Sequence, residues 1–440
     1  MAAAFRSWGR VVRAGHEVKR PHFRDEIAGL LKLPGPATSL PVGLGRSYGD
    51  SCLNPGGRLI QMTGLERIIE LDTVSGHVRA EAGLSVSHLL QRIVSKGWFV
   101  ATTPGTRFVT LGGAVANDVH GKNHHTAGSF GCSVKSIELV RSDRGCLTLA
   151  PGDRSGLFEA TVGGLGLTGV MTSVELDLVR INSAYLDVER CAFTNVGDFL
   201  ALAAASAQTH EHTVAWLDCA SGGANLGRGI FQRANWCRDG ELVAHDDEGG
   251  LSVPMDAPNY TLNPVTVRLF NGLYYRAQKG GAAKRRLHYE RFFYPLDSIR
   301  AWNRIYGPAG LYQYQCAIPL ATAGAALPEL VRLIARSGSG SFLAVIKTLG
   351  PKSSPGMLSF ARESVTLALD FPNRGQRTLD LLATFDRVVR AAGGWLYPAK
   401  DGRMPAAMFQ HGYPQWQKFA SHIDPALSSA FWARVSATVV

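Results

Sequence analysis

Thr103-Pro104-Gly105-Thr106-Arg107, then Gly112-Gly113-Ala114, then Asn117-Asp118-Val119-His120-Gly121-Lys122-Asn123-His124-His125 form a stretch too rich in Gly, Thr, Asn and His for either helical or strand periodicity. Long structureless connections in compact domains are usually functional, so this one reads as a ligand-wrapping loop. Upstream stands Gly43-Leu44-Gly45-Arg46-Ser47-Tyr48-Gly49-Asp50, whose small residues leave backbone N–H groups free to cradle an anion beside Arg46. A diphosphate suits it, and a tight surface turn between strands fits the same residues equally well. A third loop, Gly164-Leu165-Gly166-Leu167-Thr168-Gly169, has the glycine spacing of a dinucleotide fingerprint. Its context is reversed: a helical segment precedes it and a strand-like run follows from Met171, whereas the fingerprint needs strand first and helix after. That excludes a Rossmann domain. No P-loop and no nucleophile elbow occurs either. His120 and His124 are four apart on a loop, outside any HExxH frame, so no metal site is expected.

Outward from these loops the pattern is α+β. Residues 58–62, 67–72 and 77–82 alternate like strands between Gly and Asp turns, and 134–140 with 146–150 flank the turn Ser142-Asp143-Arg144-Gly145 as a hairpin. Ser85 reads as the cap of a helix carrying Leu89, Leu90, Ile93 and Val94, with Gly97 closing it. The glycine-rich character fades after Asn182, which places a boundary near 181. Beyond it, 212–219 and 341–347 read as strands, and 328–337 and 375–392 as helices.

The chain has 440 residues, enough for two or three domains, and 45% hydrophobic with 18% charged residues excludes disordered, coiled-coil and fibrous classes. Forty-six basic against 35 acidic residues give +11, a balance that favours phosphorylated or anionic partners. Charge alone also allows a non-catalytic polyanion binder, but no nucleic-acid-binding signature supports it and no nucleic-acid partner is expected. Seven scattered cysteines, without CxxC spacing, fit a reducing compartment. With no apolar leader or membrane span, the expectation is a cytoplasmic protein, with peripheral contact at the inner face of the membrane left open. Residues 276–291 hold six basic residues and one acid around Gly280-Gly281. They read as the most basic and most mobile stretch, either a solvated loop or a contact for anionic lipid.

The first two loops, with Ala127-Gly128-Ser129-Phe130-Gly131, resemble the PCMH-type FAD-binding domain of the vanillyl-alcohol oxidase flavoprotein superfamily. The resemblance continues through Trp302-Asn303-Arg304-Ile305-Tyr306-Gly307-Pro308-Ala309-Gly310, Gln313-Tyr314-Gln315, Ser341-Phe342-Leu343 with Lys347, and Tyr397-Pro398-Ala399-Lys400-Asp401. Within the superfamily these motifs are similar to the group that oxidises the ribose of polyprenyl-phosphoryl sugars.

That resemblance implies a two-domain α+β FAD-linked oxidase: an FAD-binding domain over 1–181, an antiparallel-sheet substrate domain over 182–394, and a C-terminal segment over 395–440 returning to the flavin. It assigns FAD to Arg46, Ser47, Tyr48, Gly49, Gly105, Thr106, Gly112, Gly113, Asn117 and His120, with Val170 and Tyr397 added. Tyr48 stands where many relatives carry a flavin-linking histidine, so FAD is expected to be non-covalent. Lys400 and His120 are the implied catalytic residues, and Lys122, Tyr306, Gln313, Gln315 and Lys347 the implied substrate residues. The implied reaction takes a hydroxyl proton and a hydride from a secondary alcohol of the sugar, the 2-hydroxyl of polyprenyl-phosphoryl ribose. A separate nicotinamide-dependent short-chain reductase would complete epimerisation to arabinose, a cell-wall arabinan precursor. An alditol or aldonolactone oxidase acting on a soluble sugar is the alternative. Three departures bear on the substrate: Ala368 replaces a pocket cysteine, Thr366 an asparagine and Phe293 a tyrosine. A cysteine-directed inhibitor loses its anchor at Ala368. On residues alone, Lys400 reads as an ordinary exposed lysine near a helix start.

Overall fold

Alternating segments bounded by tight turns become a six-stranded sheet in the first part of the chain. Ile68–Asp72, His77–Glu81, Val170–Arg180, Val134–Arg141 and Gly145–Leu149 lie side by side in that order, and Trp98–Val100 pairs with the C-terminal end of Val170–Arg180. Every pairing is antiparallel. The computed structural model describes residues 5–33, 35, 38–247, 250–258, 260–280 and 284–437. Helix Val86–Ile93 lays Leu89, Leu90 and Ile93 into the same core as Val78, Ile137, Leu139, Val174 and Leu176. It starts where Ser85 accepts a hydrogen bond from His88 N at 3.0 Å, a cap worth about 1 kcal/mol. A small parallel sheet of Glu17–Lys19, Arg58–Gln61 and Ser39–Val42 carries the chain into the first glycine loop.

An eight-stranded antiparallel sheet dominates the rest, in the order Arg285–His288, Tyr185–Phe193, Gly229–Trp236, His212–Leu217, Ala344–Leu349, Ser364–Pro372, Leu311–Ile318, Trp395–Leu396. Strands bury alternate residues. Tyr314, Cys316, Ile318, Val365, Leu367, Leu369 and Ile346 share a core with helices Val196–Ser206, Leu320–Ser337 and Gln376–Ala391. The intervening residues on three adjacent strands, 313 and 315, 345 and 347, 366 and 368, therefore point to the other face. The chain leaves the six-stranded sheet at Arg180 and enters the eight-stranded one at Tyr185. The cores do not divide there, since Tyr289, Phe292, Phe293 and Tyr294 pack into the first.

Several local expectations shift. The stretch 103–131 is not structureless: it winds into Leu111–Ala116, His124–Ala127 and a 3-10 turn at Phe130–Ser133, the first capped by Thr110 accepting from Gly113 N at 3.1 Å. The helix expected from 328 begins at Leu320 and runs through Pro328, because an alanine-rich segment propagates it from upstream. The strand expected from 341 begins at Ala344, since the Ser341 hydroxyl turns back to bond both Leu343 N and Leu343 O. The basic run 276–291 is largely regular: the end of helix Pro264–Lys279, strand Arg285–His288 and helix Tyr289–Phe293. Gly281 lies outside the described residues. Residues 164–169 stand between helix Leu157–Thr161 and strand Val170–Arg180.

Candidate active site

Between the two large sheets lies a cavity of about 690 Å³, within the range of about 300–1,000 Å³ usual for cofactor and small-ligand sites. The glycine loops form one end and the open face of the eight-stranded sheet the other. Of the expected residues, Arg46, Ser47, Tyr48, Gly105, Thr106, Gly112, Gly113, Asn117, His120, Gln313, Gln315, Lys347, Tyr397 and Lys400 line it.

At the glycine end the Arg46 guanidinium lies 4.1 Å above the Trp8 ring, and its buried Nε has no hydrogen-bond partner. A Cβ at Gly105 would meet nothing within 4 Å. Unpaired buried donors are costly and rare, so this wall is shaped for polar atoms the chain does not supply. Asn117 donates to Gly113 O at 2.8 Å, and its own carbonyl accepts from Tyr397 Oη at 2.8 Å. That bond ties the C-terminal segment to the second loop.

At the sheet end, His120 Nε2 accepts from Gln315 Nε2 at 3.0 Å, and the same amide donates to Thr366 Oγ1 at 3.2 Å. The proton is thereby placed on His120 Nδ1, which is buried without a partner. Burial, then Lys347, His124 and Lys400, hold the imidazole neutral, well below its ordinary value. Lys347 donates to Gly121 O at 3.0 Å, and burial with the charges of Lys122 and Lys400 pushes it down to about 7. Lys400 stands 4.1 Å from the centre of the Tyr48 ring, pushed down to about 8 by burial against the attraction of Asp370. A lysine so placed can exchange a proton near neutrality, and as a cation it steadies negative charge.

Four expected residues do not line the cavity. Gly49 backs onto the C-terminal segment, where a Cβ would fall 1.6 Å from Asp401 O. Val170 is core, packed with Ile60, Met62 and Val140. Lys122 donates to the Phe292 carbonyl, with its ammonium 4.4 Å from the centre of the Phe292 ring, and burial lowers it to about 7. Tyr306 stacks on Phe342 at 5.8 Å behind Tyr48. Ala368 and Thr366 are on the wall, whereas Phe293 stacks on Phe99 in the core of the first sheet. His124 and His125 turn elsewhere, to Gly350 N and the His210 carbonyl.

Sequence reasoning missed Trp8, Thr110, Asp297 and Asp370. Trp8, Thr110 and Asp297 line the cavity. Asp297 accepts from Arg107 N at 2.8 Å, which fastens the second loop to the substrate half. Asp370 shares the cavity-facing parity of Thr366 and Ala368, accepts from Gln313 Nε2 at 2.6 Å, and is pushed up to about 7 by burial. An isolated Trp in the N-terminal segment and single aspartates carry no local signal, because only the fold brings Trp8 and Asp297 to the cavity and Asp370 behind Gln313.

Residues 18–150 match a family model described as an FAD binding domain. The chain is 35% identical to decaprenylphosphoryl-β-D-ribose oxidase of Mycolicibacterium smegmatis, over 87% of this chain and 85% of that protein. It is 30% identical to an uncharacterized protein of Streptomyces coelicolor, over 78% of this chain and 96% of the other. Alditol oxidase of a Streptomyces species is 27% identical over 40% of this chain and 42% of its own length.

Proposed function

Because the chain belongs to the FAD-dependent oxidase family of decaprenylphosphoryl-β-D-ribose oxidase, we propose that it oxidises the 2-hydroxyl of a polyprenyl-phosphoryl ribose to the 2-keto sugar. At the coarser level it is an FAD-dependent oxidoreductase acting on a sugar-like substrate. The observation that carries the finer reading is one cavity with glycine loops and the unpartnered Nε of Arg46 at one end, and Gln313, Gln315, Lys347 and Lys400 at the other.

FAD, when bound, supplies the two-electron acceptor. In this reading Arg46, the first loop and residues 105–117 hold its diphosphate and ribityl portions. Tyr48 offers no histidine nitrogen for a covalent link, so FAD is held non-covalently. Gln315 and neutral His120 orient the sugar hydroxyls. Lys400 takes or shares the hydroxyl proton while Lys347 provides positive potential for the phosphoryl group. A separate nicotinamide-dependent short-chain reductase then reduces the keto sugar to arabinose, and the polyprenyl tail requires contact with a membrane surface.

An absorption spectrum before and after acid precipitation, followed by anaerobic addition of polyprenyl-phosphoryl ribose, tests this. Released FAD and bleaching are expected. Releasable FAD bleached by a soluble alditol instead would transfer the site to that substrate class. Lys400→Ala is expected to slow flavin reduction by about 10²–10⁴-fold with the fold retained, the range of a lost general base. Stopped-flow rates equal to wild type would remove Lys400 from the chemistry.

A further inference from the structure

Helix Pro264–Lys279 wears its apolar side outward. Its start is well specified: Asn263 Oδ1 accepts from Val265 N and Thr266 N, and Thr266 Oγ1 accepts in return from Asn263 N. Polar bonds hold its inner side, where buried Asn271 donates to Asp218 Oδ1 and Ser341 O, and Arg190 donates to Gln278 at 2.6 Å. Val265, Leu269 and Leu273, with Leu251, Met255 and Tyr260 before them, are between 56% and 78% exposed. Seven of the sixteen large apolar side chains that are exposed among the described residues fall within 251–273. An ordinary surface helix places its apolar stripe against the core and its charges in water.

Along the helix and the run beyond it the charge has one sign, and the acid beside Met255, Asp256, is paired with Arg10 and Arg304. Residues 257–289 contain no aspartate or glutamate and six lysines and arginines. Lys284 and Arg286 are engaged with Asp187 and Asp239, while Arg276 and Lys279 at the helix end and Arg285 beyond it are exposed. An exposed apolar stripe flanked by cations complements an anionic interface, in which the stripe enters the acyl boundary and the cations meet headgroups. A second copy of this face would set cations against cations. The face also adjoins the cavity. Leu251–Ser252 pairs with Ile299–Arg300, both of which line it, and Phe270 packs on Phe342, the ring stacked on Tyr306.

We infer that the outer face of helix Pro264–Lys279, with Leu251, Met255 and Tyr260, docks on an anionic phospholipid bilayer and holds the cavity against the surface from which a lipid-linked sugar is drawn. The inference deepens the proposed function and rests on it for the lipid-linked substrate.

Cosedimentation of the full-chain flavoprotein, without substrate, with vesicles of phosphatidylcholine alone and of phosphatidylcholine mixed with phosphatidylglycerol tests it. Binding is expected only to the mixed vesicles, weakening as salt is raised. Leu269→Asp with Leu273→Asp should weaken it about tenfold or more, as should Arg276→Glu with Lys279→Glu, with flavin content unchanged. No sedimentation, equal binding to both vesicles, or full binding by either variant would overturn the inference. So would a wild-type dimer that becomes monomeric in the leucine variant, which would give the face to a second copy. Flavin bleaching by detergent-dispersed substrate is read separately, so loss of docking and loss of the substrate reading are distinguishable.

Discussion

Lys347 sits among like charges, with Lys122 and Lys400 both lowering it, and burial brings it and Lys122 to about 7 and Lys400 to about 8. An unfolded lysine keeps its ordinary value of 10.5, so between about 7 and 10.5 the unfolded chain holds these protons more tightly. The cost to the fold is full below about 7 and is relieved as pH rises through that window. Lys347→Met is therefore expected to raise the melting temperature most near about pH 6 and least near about pH 10. An equal shift at both would remove the buried-charge account. Ala368 offers a second probe on the same wall. Cys52 also lines the cavity, but burial pushes its thiol up to about 12 and leaves it inert. Ala368→Cys would put a thiol near the cations of Lys347 and Lys400, and peptide mapping after a cysteine-directed electrophile should find position 368 modified ahead of Cys52. Modification of Cys52 first would contradict this. At this scale most residues of the glycine loops were legible as cavity wall, since Arg46, Ser47, Tyr48, Gly105, Thr106, Gly112, Gly113 and Asn117 stand in runs whose density of small and polar residues is itself a local signal. Asp370 and Trp8 were not, because a lone residue acquires its role from neighbours distant in sequence.

Strands Leu311–Ile318, Ala344–Leu349 and Ser364–Pro372 present Gln313, Gln315, Lys347, Thr366 and Ala368 on one face because side chains alternate and the register sets Gln315 opposite Ala368 and Lys347 opposite Thr366. A one-residue slip of any of these strands would turn its own members of the set into the helical core. Glycine matters most where elements meet. At Gly49 an added Cβ would strike Asp401 O at 1.6 Å, so Gly49→Ala must push the first loop off the segment that carries Lys400. The expected cost is about 1–3 kcal/mol, seen as a lower denaturation midpoint together with slower flavin reduction. Unchanged values of both would mean the two segments adjust freely. Helix Val86–Ile93 was readable because its cap, apolar spacing and closing Gly97 are all local. The Ala344 strand start and the passage of Leu320–Ser337 through Pro328 were not, since the Ser341 turn delays the strand and the alanine-rich segment before Pro328, which carries the helix through, reads as helix only with its buried side packed on the sheet.

The C-terminal segment closes the molecule. Trp395–Leu396 adds the edge strand beside Leu311–Ile318, and Arg434 reaches back to Asp50 at 2.7 Å and Asp401 at 3.0 Å, joining the first loop to the residue after Lys400. Arg434→Met leaves two buried carboxylates facing one another, a loss of about 3 kcal/mol on the scale of broken buried pairs. A lower melting temperature and weaker FAD retention are expected, whereas a change in stability alone would separate this clasp from the cofactor. In the whole molecule, no described helix is long and apolar enough to cross a membrane. The sequence by itself determined the α+β class and singled out the glycine-rich loops, and its motifs carried the resemblance to an FAD-linked oxidase, because glycine density, strand alternation and helix caps act over a few residues. Only the tertiary structure decided which of those residues share a cavity. It drew Lys400 under Tyr48, set Gln315 against His120, withdrew Lys122 and Tyr306 from the wall and turned the apolar side of helix Pro264–Lys279 outward. Each of these depends on sheet register and on contacts between segments hundreds of residues apart, which no local pattern encodes.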